Sequence, residues 1–358
     1  MWALTNKTPF AAERTWGRDK DGAEVWLVAV KGTFLISANG HTQLADEQME
    51  VCFAPKFRCE PEQSSLLYDS DLLITKSSTD IILHGHAYAP RGLPAIKMDV
   101  ALKIANFSKT LRVIGDRLWQ NSLLGIKMSK PQPFVKMPLI YERAFGGTDQ
   151  LSENPKHHGW EPSNPVGVGF ATRAEHLIGK PAPNIEDPKS LIRHWKNRLR
   201  PAGFGPIAGH WSPRVEFAGT YDEKWKNDRL PLFPEDFDER FYQCAPEDQQ
   251  VQGFLMGGEL VEMYNLTPNG MLRFRLPRVM LGFRTNFGDY DEKQHRAVLH
   301  TVILEPDVPR VLMVWHSKLP CHYKVQKLLD TTIDLLNGSQ VSEKDLTSRI
   351  GIEETESA

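Results

Sequence analysis

Apolar side chains recur in this chain at every second position more often than at every third or fourth, which is the period of β-strands. Residues 23–36, AEVWLVAVKGTFLI, carry the strongest signal. Val25, Leu27, Ala29 and Lys31 share one face; Trp26, Val28, Val30 and Gly32 share the other. Both faces are apolar as far as Val30, as in a central sandwich strand covered on both sides. Asn39-Gly40 then reads as a type I′ hairpin turn leading into HTQLA. Residues 72–88 read as a strand, a polar turn at Ser77–Asp80 and a second strand. In residues 95–106, Ile96, Met98, Val100, Leu102 and Ile104 alternate with Lys97, Asp99 and Lys103, the pattern of an antiparallel strand with one wet face. Residues 109–115 return beside it. Successive strands at hairpin spacing favour a β-sandwich over a doubly wound fold.

The middle of the chain breaks this rhythm. NPVGVG at 164–169, LIGKPAPN at 177–184, PAGFGPI at 201–207 and RLPLFP at 229–234 interrupt any long regular element. A structureless loop of such length is unusual inside a domain. Its aromatics, among them Trp160, Trp195, Phe204, Trp211 and Trp225, are expected to order it by burial. Short helices are predicted at Pro188–Leu199, where Leu191, Ile192, Trp195 and Leu199 form a stripe, and at Pro234–Cys244. Strands resume over 253–277 around the turn Thr267–Gly270, over 296–306 with 310–317, and over 324–336, where Thr331, Thr332 and Ile333 favour extended backbone. The expected fold is mainly β: antiparallel, sandwich-like sheets in two parts joined by a loop-rich middle with one or two short helices. The divisions fall at 1–125, 126–250 and 251–336, with a polar, fraying tail over 337–358.

Charge and cysteine usage narrow the function. Among 358 residues, 43 are Lys or Arg and 45 Asp or Glu, a net charge of -2 that gives no global basic field for nucleic acid. The start, MWALTNKTPF, has no signal-peptide pattern, and no run approaches the ~18 apolar residues of a membrane span. Cys52, Cys59, Cys244 and Cys321 form no C-x-x-C pair, which fits a reducing, cytoplasmic setting rather than a zinc site.

No G-x-S-x-G elbow, H-E-x-x-H helix or Walker A loop is present. Lys31-Gly32-Thr33 looks like a piece of a phosphate loop but sits inside a strand. His84 and His86 share a strand face, and a metal there needs a third ligand. Glu142, Asp149, Asp222 and Glu259 would make a glycosidase-type pair only if folding brought two together; ion pairs with Arg117, Arg143 and Arg214 are the commoner use. No catalytic, cofactor or metal residue is therefore assigned, and the chain is expected not to be an enzyme. Leu111–Asp149 packs arginines, aromatics and glycines more closely than elsewhere in the first half of the chain. Arg117, Trp119, Tyr141 and Arg143, with Trp225 downstream, are the candidate partner-binding residues, burial and internal pairing being the competing use. Gly146 and Gly147 are expected to serve a tight turn. Arg117 or Arg143 is expected to pair with an acidic residue of the middle segment.

An ordered set of phrases adds a resemblance. It includes NKTPF at 6–10, VKGTF at 30–34, DIILHGHAYAP at 80–90, VIGDRLW at 113–119, PLIYERAFGGTD at 138–149, PAGFGPI at 201–207, GTYDEKW at 219–225, RLPLFPEDFD at 229–238 and NLTPNG at 265–270. Over roughly residues 1–320 the order resembles a bacterial family long classed only as a domain of unknown function. Its members are encoded in type VI secretion clusters beside VgrG spikes, PAAR tips and toxic effectors. The resemblance implies a cytoplasmic adaptor or chaperone that binds an effector and helps load it onto the VgrG–PAAR spike, and it supplies no catalytic residues. A carbohydrate-active hydrolase on a β-sandwich and a structural component of the spike are the alternatives.

Overall fold

Glu24–Ile36 is the longest strand, and every residue from Val25 to Phe34 is buried. The structure, a computed structural model, describes residues 2–339 apart from Leu124, Asp289, Tyr290, Tyr323 and Asn337. The expected polar tail, except for Gly338 and Ser339, lies outside the described residues. Ala11–Arg18 and Thr42–Leu44 pair antiparallel along one side of the long strand, and Arg310–Pro320 along the other. Val298–Glu305 and, parallel to it, Asp80–Leu83 complete a six-stranded central sheet.

A second, wholly antiparallel sheet has the order Ile185–Glu186, Phe107–Ile114, Lys97–Ile104, Leu260–Tyr264 and Met271–Arg275. A third runs Ala3–Asn6, Asp330–Leu335, Leu281–Asn286 and Glu292–Arg296, its first pair parallel. One apolar core joins the three through Trp26, Val28 and Val30, Val100, Leu102 and Val261, and Phe283 and Ile333. The fold is mainly β, as the alternation predicts. Strands from 1–125 and 251–336 share all three sheets, so the divisions at 125 and 250 cut across sheets.

Several local expectations are corrected. Pro188–Leu199 is not a helix. The Glu186 carboxylate takes the Ile192 amide at 2.8 Å, and Asn197 Oδ1 takes the amides of Arg193 and His194 at 3.0 and 2.8 Å, so side chains satisfy donors that a helix would use. Pro234–Cys244 yields only a 3-10 turn at Glu239–Tyr242. The α-helix is instead Glu223–Asp228, capped by Asp222, whose Oδ1 accepts the Trp225 amide at 2.8 Å. Residues 72–76 are not a strand. The hairpin after Ile36 forms, but of Asn39 and Gly40 only Gly40 has positive φ, so the turn is not type I′.

Candidate functional site

The two faces of the central sheet differ in kind. One is apolar and meets the core. On the other, strand register sets Lys31, Val314, Thr301 and Asp80 in one cross-strand row. The segment from Tyr68 to Thr79 crosses this row and supplies its counter-charges. Asp71 Oδ2 meets Lys31 Nζ at 2.9 Å, and Lys76 Nζ lies 2.6 Å from Asp80 Oδ2 and 3.0 Å from Thr301 Oγ1. Arg214, from the loop-rich middle, stands 2.8 Å from Asp69 and donates to the carbonyls of Ile207 and Phe241.

Three cations thus face three carboxylates, and all but Asp69 are buried. A lone buried charge is far more costly than a paired one, which is why each cation here has a carboxylate at bonding distance. Burial opposes the charge on Lys76, but the adjoining Asp80 outweighs it and holds the ammonium proton more tightly than usual. Asp80 also accepts from Gln243 Nε2 at 2.7 Å and from the Cys244 amide at 2.8 Å. Burial pushes the Cys244 thiol up, so it stays protonated despite its closeness to Lys76. Burial and a hydrogen bond to Glu305 likewise keep the Tyr68 hydroxyl protonated. The space enclosed by Tyr68, Asp69, Asp71, Lys76, Cys244 and Thr301 is about 10 Å³, room for about one water. No organic substrate fits there. The cluster clamps the 68–79 segment onto the sheet.

The residues singled out in sequence take separate positions. Arg117 is buried, 2.6 Å from Glu186 Oε1 and 2.5 Å from the Pro183 carbonyl, so it does pair with the middle segment. Trp119 is buried with Phe145, Leu177 and Ile192 in a small second core. Tyr141 is buried edge-on to Trp211, its ring centroid 5.8 Å away, and its hydroxyl donates to the Gly205 carbonyl at 3.2 Å. Arg143 keeps a third of its side chain exposed and meets Asp116 at 2.9 Å, a residue of the first division rather than the middle. Trp225 is half-buried on the short helix, stacked edge-on with Tyr221 at 4.7 Å, and donates to the Leu232 carbonyl. Arg143 and Trp225 therefore retain surface; the other three face inward.

Gly146 and Gly147 do not make a simple tight turn. Gly146 pairs in parallel with Gly169, and a Cβ on it would stand 2.1 Å from the Asn164 carbonyl oxygen. The glycines admit a close backbone approach. Asn164, fully buried, ties the corner by donating to the carbonyls of Tyr141 and Phe145 at 2.8 and 3.0 Å.

The four candidate carboxylates are each engaged locally. Glu142 accepts from the Ser65 amide and hydroxyl, Asp222 caps the helix, and Glu259 accepts the Met256 amide. Asp149 accepts from Thr172 and sits 2.8 Å from His176 Nδ1. Burial would raise the Asp149 pKa, but these bonds hold it well below the usual carboxylate range. His84 and His86 part company: one faces Arg58 at 3.0 Å, the other Asp307 at 2.5 Å.

The run YDSDLLITKSSTD at 68–80, legible in sequence only as a strand and turn, carries the clamp's counter-charges. A usable signal was Lys31 itself, since a lysine at the heart of a doubly covered strand requires a buried carboxylate nearby.

The sequence model of the family DUF2169, described as an uncharacterized protein conserved in bacteria, matches residues 21–316. The chain belongs to this family. The DUF2169 match takes in Lys31, the 68–80 run, Arg214 and Thr301, and so the whole clamp, while Ala3–Asn6 and Asp330–Leu335 of the third sheet fall outside it. No curated protein and no solved structure matches the chain.

Proposed function

We propose that this DUF2169 protein is a cytoplasmic, non-enzymatic adaptor of type VI secretion that binds a toxic effector and helps load it onto the VgrG–PAAR spike. The observation that carries a binding rather than a chemical role is the burial and internal pairing of the ionisable cluster on the central sheet. Three balanced ion pairs each lend one member to the lining of a space of about 10 Å³, which leaves the outer surfaces as the working part of the molecule. Ala11–Arg18 ends the central sheet and offers an edge for strand addition, while Arg143 and Trp225 retain surface for contact. The partner class comes from the ordered phrases shared with the secretion-associated family. Among the described residues no helix is long and apolar enough to cross a membrane.

The test is capture of the tagged protein from cells expressing the effector and spike genes. Recovery of effector or spike, with effector secretion lost on deletion, is expected. Recovery of neither partner, with secretion unchanged, would sink the reading. Appearance of the protein itself in the secreted fraction would instead favour a structural spike component.

A further inference from the structure

The outer face of the second sheet is open to solvent, and its register orders it into rows. Met271, Tyr264, Ala101 and Thr110 stand opposite one another across four strands. On one side runs the row Arg273, Glu262, Lys103 and Ser108. On the other, Asp99 faces Arg112. Lys97 and Arg275 mark the outer corners, and both are exposed. The middle row is low and weakly polar: Met271 is 42% exposed, Tyr264 lies under the Lys103 ammonium at 5.4 Å, and Ala101 leaves a gap between Tyr264 and Thr110. Across the whole face Lys97, Lys103, Arg112, Arg273 and Arg275 stand against Asp99 and Glu262, an excess of three cations on a chain whose net charge is -2. Asp99 takes up Arg112 through two bonds of 2.8 and 2.9 Å, and Glu262 takes up Arg273. Lys97, Lys103 and Arg275 supply the surplus. Glu186 at the sheet's edge is taken up by Arg117 and does not offset it.

The geometry points to a docking site for an acidic amphipathic helix of a partner protein, laid across the strands along the Met271–Thr110 row. Four strands at ~4.8 Å spacing make a trough ~14 Å long, the rise of about ten helical residues. The cationic rows lie two residues along the strands from the trough, ~7 Å to either side. That offset suits a helix of ~10 Å diameter whose apolar stripe meets Met271, Tyr264 and Ala101 while Asp and Glu on its flanks reach Lys103, Arg273 and Arg112, with Lys97 and Arg275 two residues further out adding to the attracting charge. A single tyrosine with no second aromatic in the row is a poor stacking platform for single-stranded nucleic acid, which favours the helix. The assignment rests on the reading of this protein as an adaptor and names the face that would do the holding.

The probe is a synthetic peptide with leucines at helical spacing flanked by glutamates, compared with a scrambled peptide of the same composition and with a single-stranded oligonucleotide. Binding is followed by fluorescence anisotropy on the full chain. The triple variant K97E/K103E/R275E changes only exposed side chains, and circular dichroism checks its fold. The expected result is salt-sensitive binding of the patterned peptide, at least tenfold weaker for the triple variant and for the scrambled peptide. Equal binding of the scrambled peptide, unchanged binding by the variant, preference for the oligonucleotide, or a homodimer that buries the face would each overturn the proposal. Capture from effector-expressing cells separates the two readings. Effector recovered equally by wild type and variant refutes this face and leaves the adaptor standing, whereas recovery by neither refutes the adaptor.

Discussion

The clamp beneath the 68–79 segment and the open face of the second sheet are built from the same materials. Each pairs lysines and arginines with carboxylates on a face of a sheet. In the clamp the rows are covered: Lys31 and Asp80 are at most 1% exposed, and the charges balance three to three. On the open face Arg273 and Lys103 are exposed, and the cations outnumber the carboxylates. Burial decides what the pairs do. Removed from water, a charge costs so much that its partner is compulsory and the pair fixes which segments lie together. Left in water, the pair contributes little to stability, and surplus charge remains free to attract a partner.

The largest expected effect is on the closed side. Asp80→Ala strands the Lys76 ammonium and leaves Gln243 Nε2 and the Cys244 amide without their acceptor. It should destabilise the protein by about 3–5 kcal/mol in urea unfolding. A loss under about 1 kcal/mol would erase the distinction between the two regions. Arg117→Met tests a second closed pair, leaving Glu186 buried with the Ile192 amide but without its cation, and should cost about 3 kcal/mol by the same measurement.

Acid provides a graded test. Burial lowers the pKa of His295 to about 4 and that of His316 to about 3, and places His300, stacked on His316 at 4.6 Å, well below 6.5. All three are depressed on folding, so their contribution is complete above the ordinary histidine value of 6.5 and is lost as pH falls towards about 4. Unfolding free energy should therefore fall across that window, with proton uptake on unfolding. His316→Phe should flatten the slope; an unchanged slope would show that other groups carry it. The smallest effect belongs to the open face, where Arg112→Ala should cost no more than about 1 kcal/mol and less at high salt. A larger, salt-insensitive loss would mean that the face is not the loosely held surface described here.

How much was legible in sequence follows the same division. The continuous apolar run within 23–36 and the period-two alternation over 95–106 and 271–276 are local signals, and each stretch contains a strand. Pro188–Leu199 looked helical because its apolar spacing suits a helix, yet Glu186 and Asn197 take the amides into extended and turned backbone. The expected pairing of Arg117 with the middle segment holds, whereas Gly146 and Gly147 serve a close approach rather than a tight turn, because nothing local announces that Asn164, eighteen residues after Gly146, will press against it. Lys31 signals a buried partner, but which residues complete the clamp is not legible, since Asp71, Thr301 and Arg214 lie far from it in the chain and only strand register and the crossing segment unite them.

By itself, then, the amino-acid order determined a mainly β protein and where several of its long strands run, though not Ala11–Arg18. Tertiary structure alone decided which charges are enclosed and which stay in water. Alternation depends on neighbours two residues apart, whereas burial of a charge depends on what a distant segment lays over it. Lys31 and Lys103 both stand on strands that the local pattern announces; the segment bearing Asp71 covers the first, and nothing in the chain's described residues covers the second.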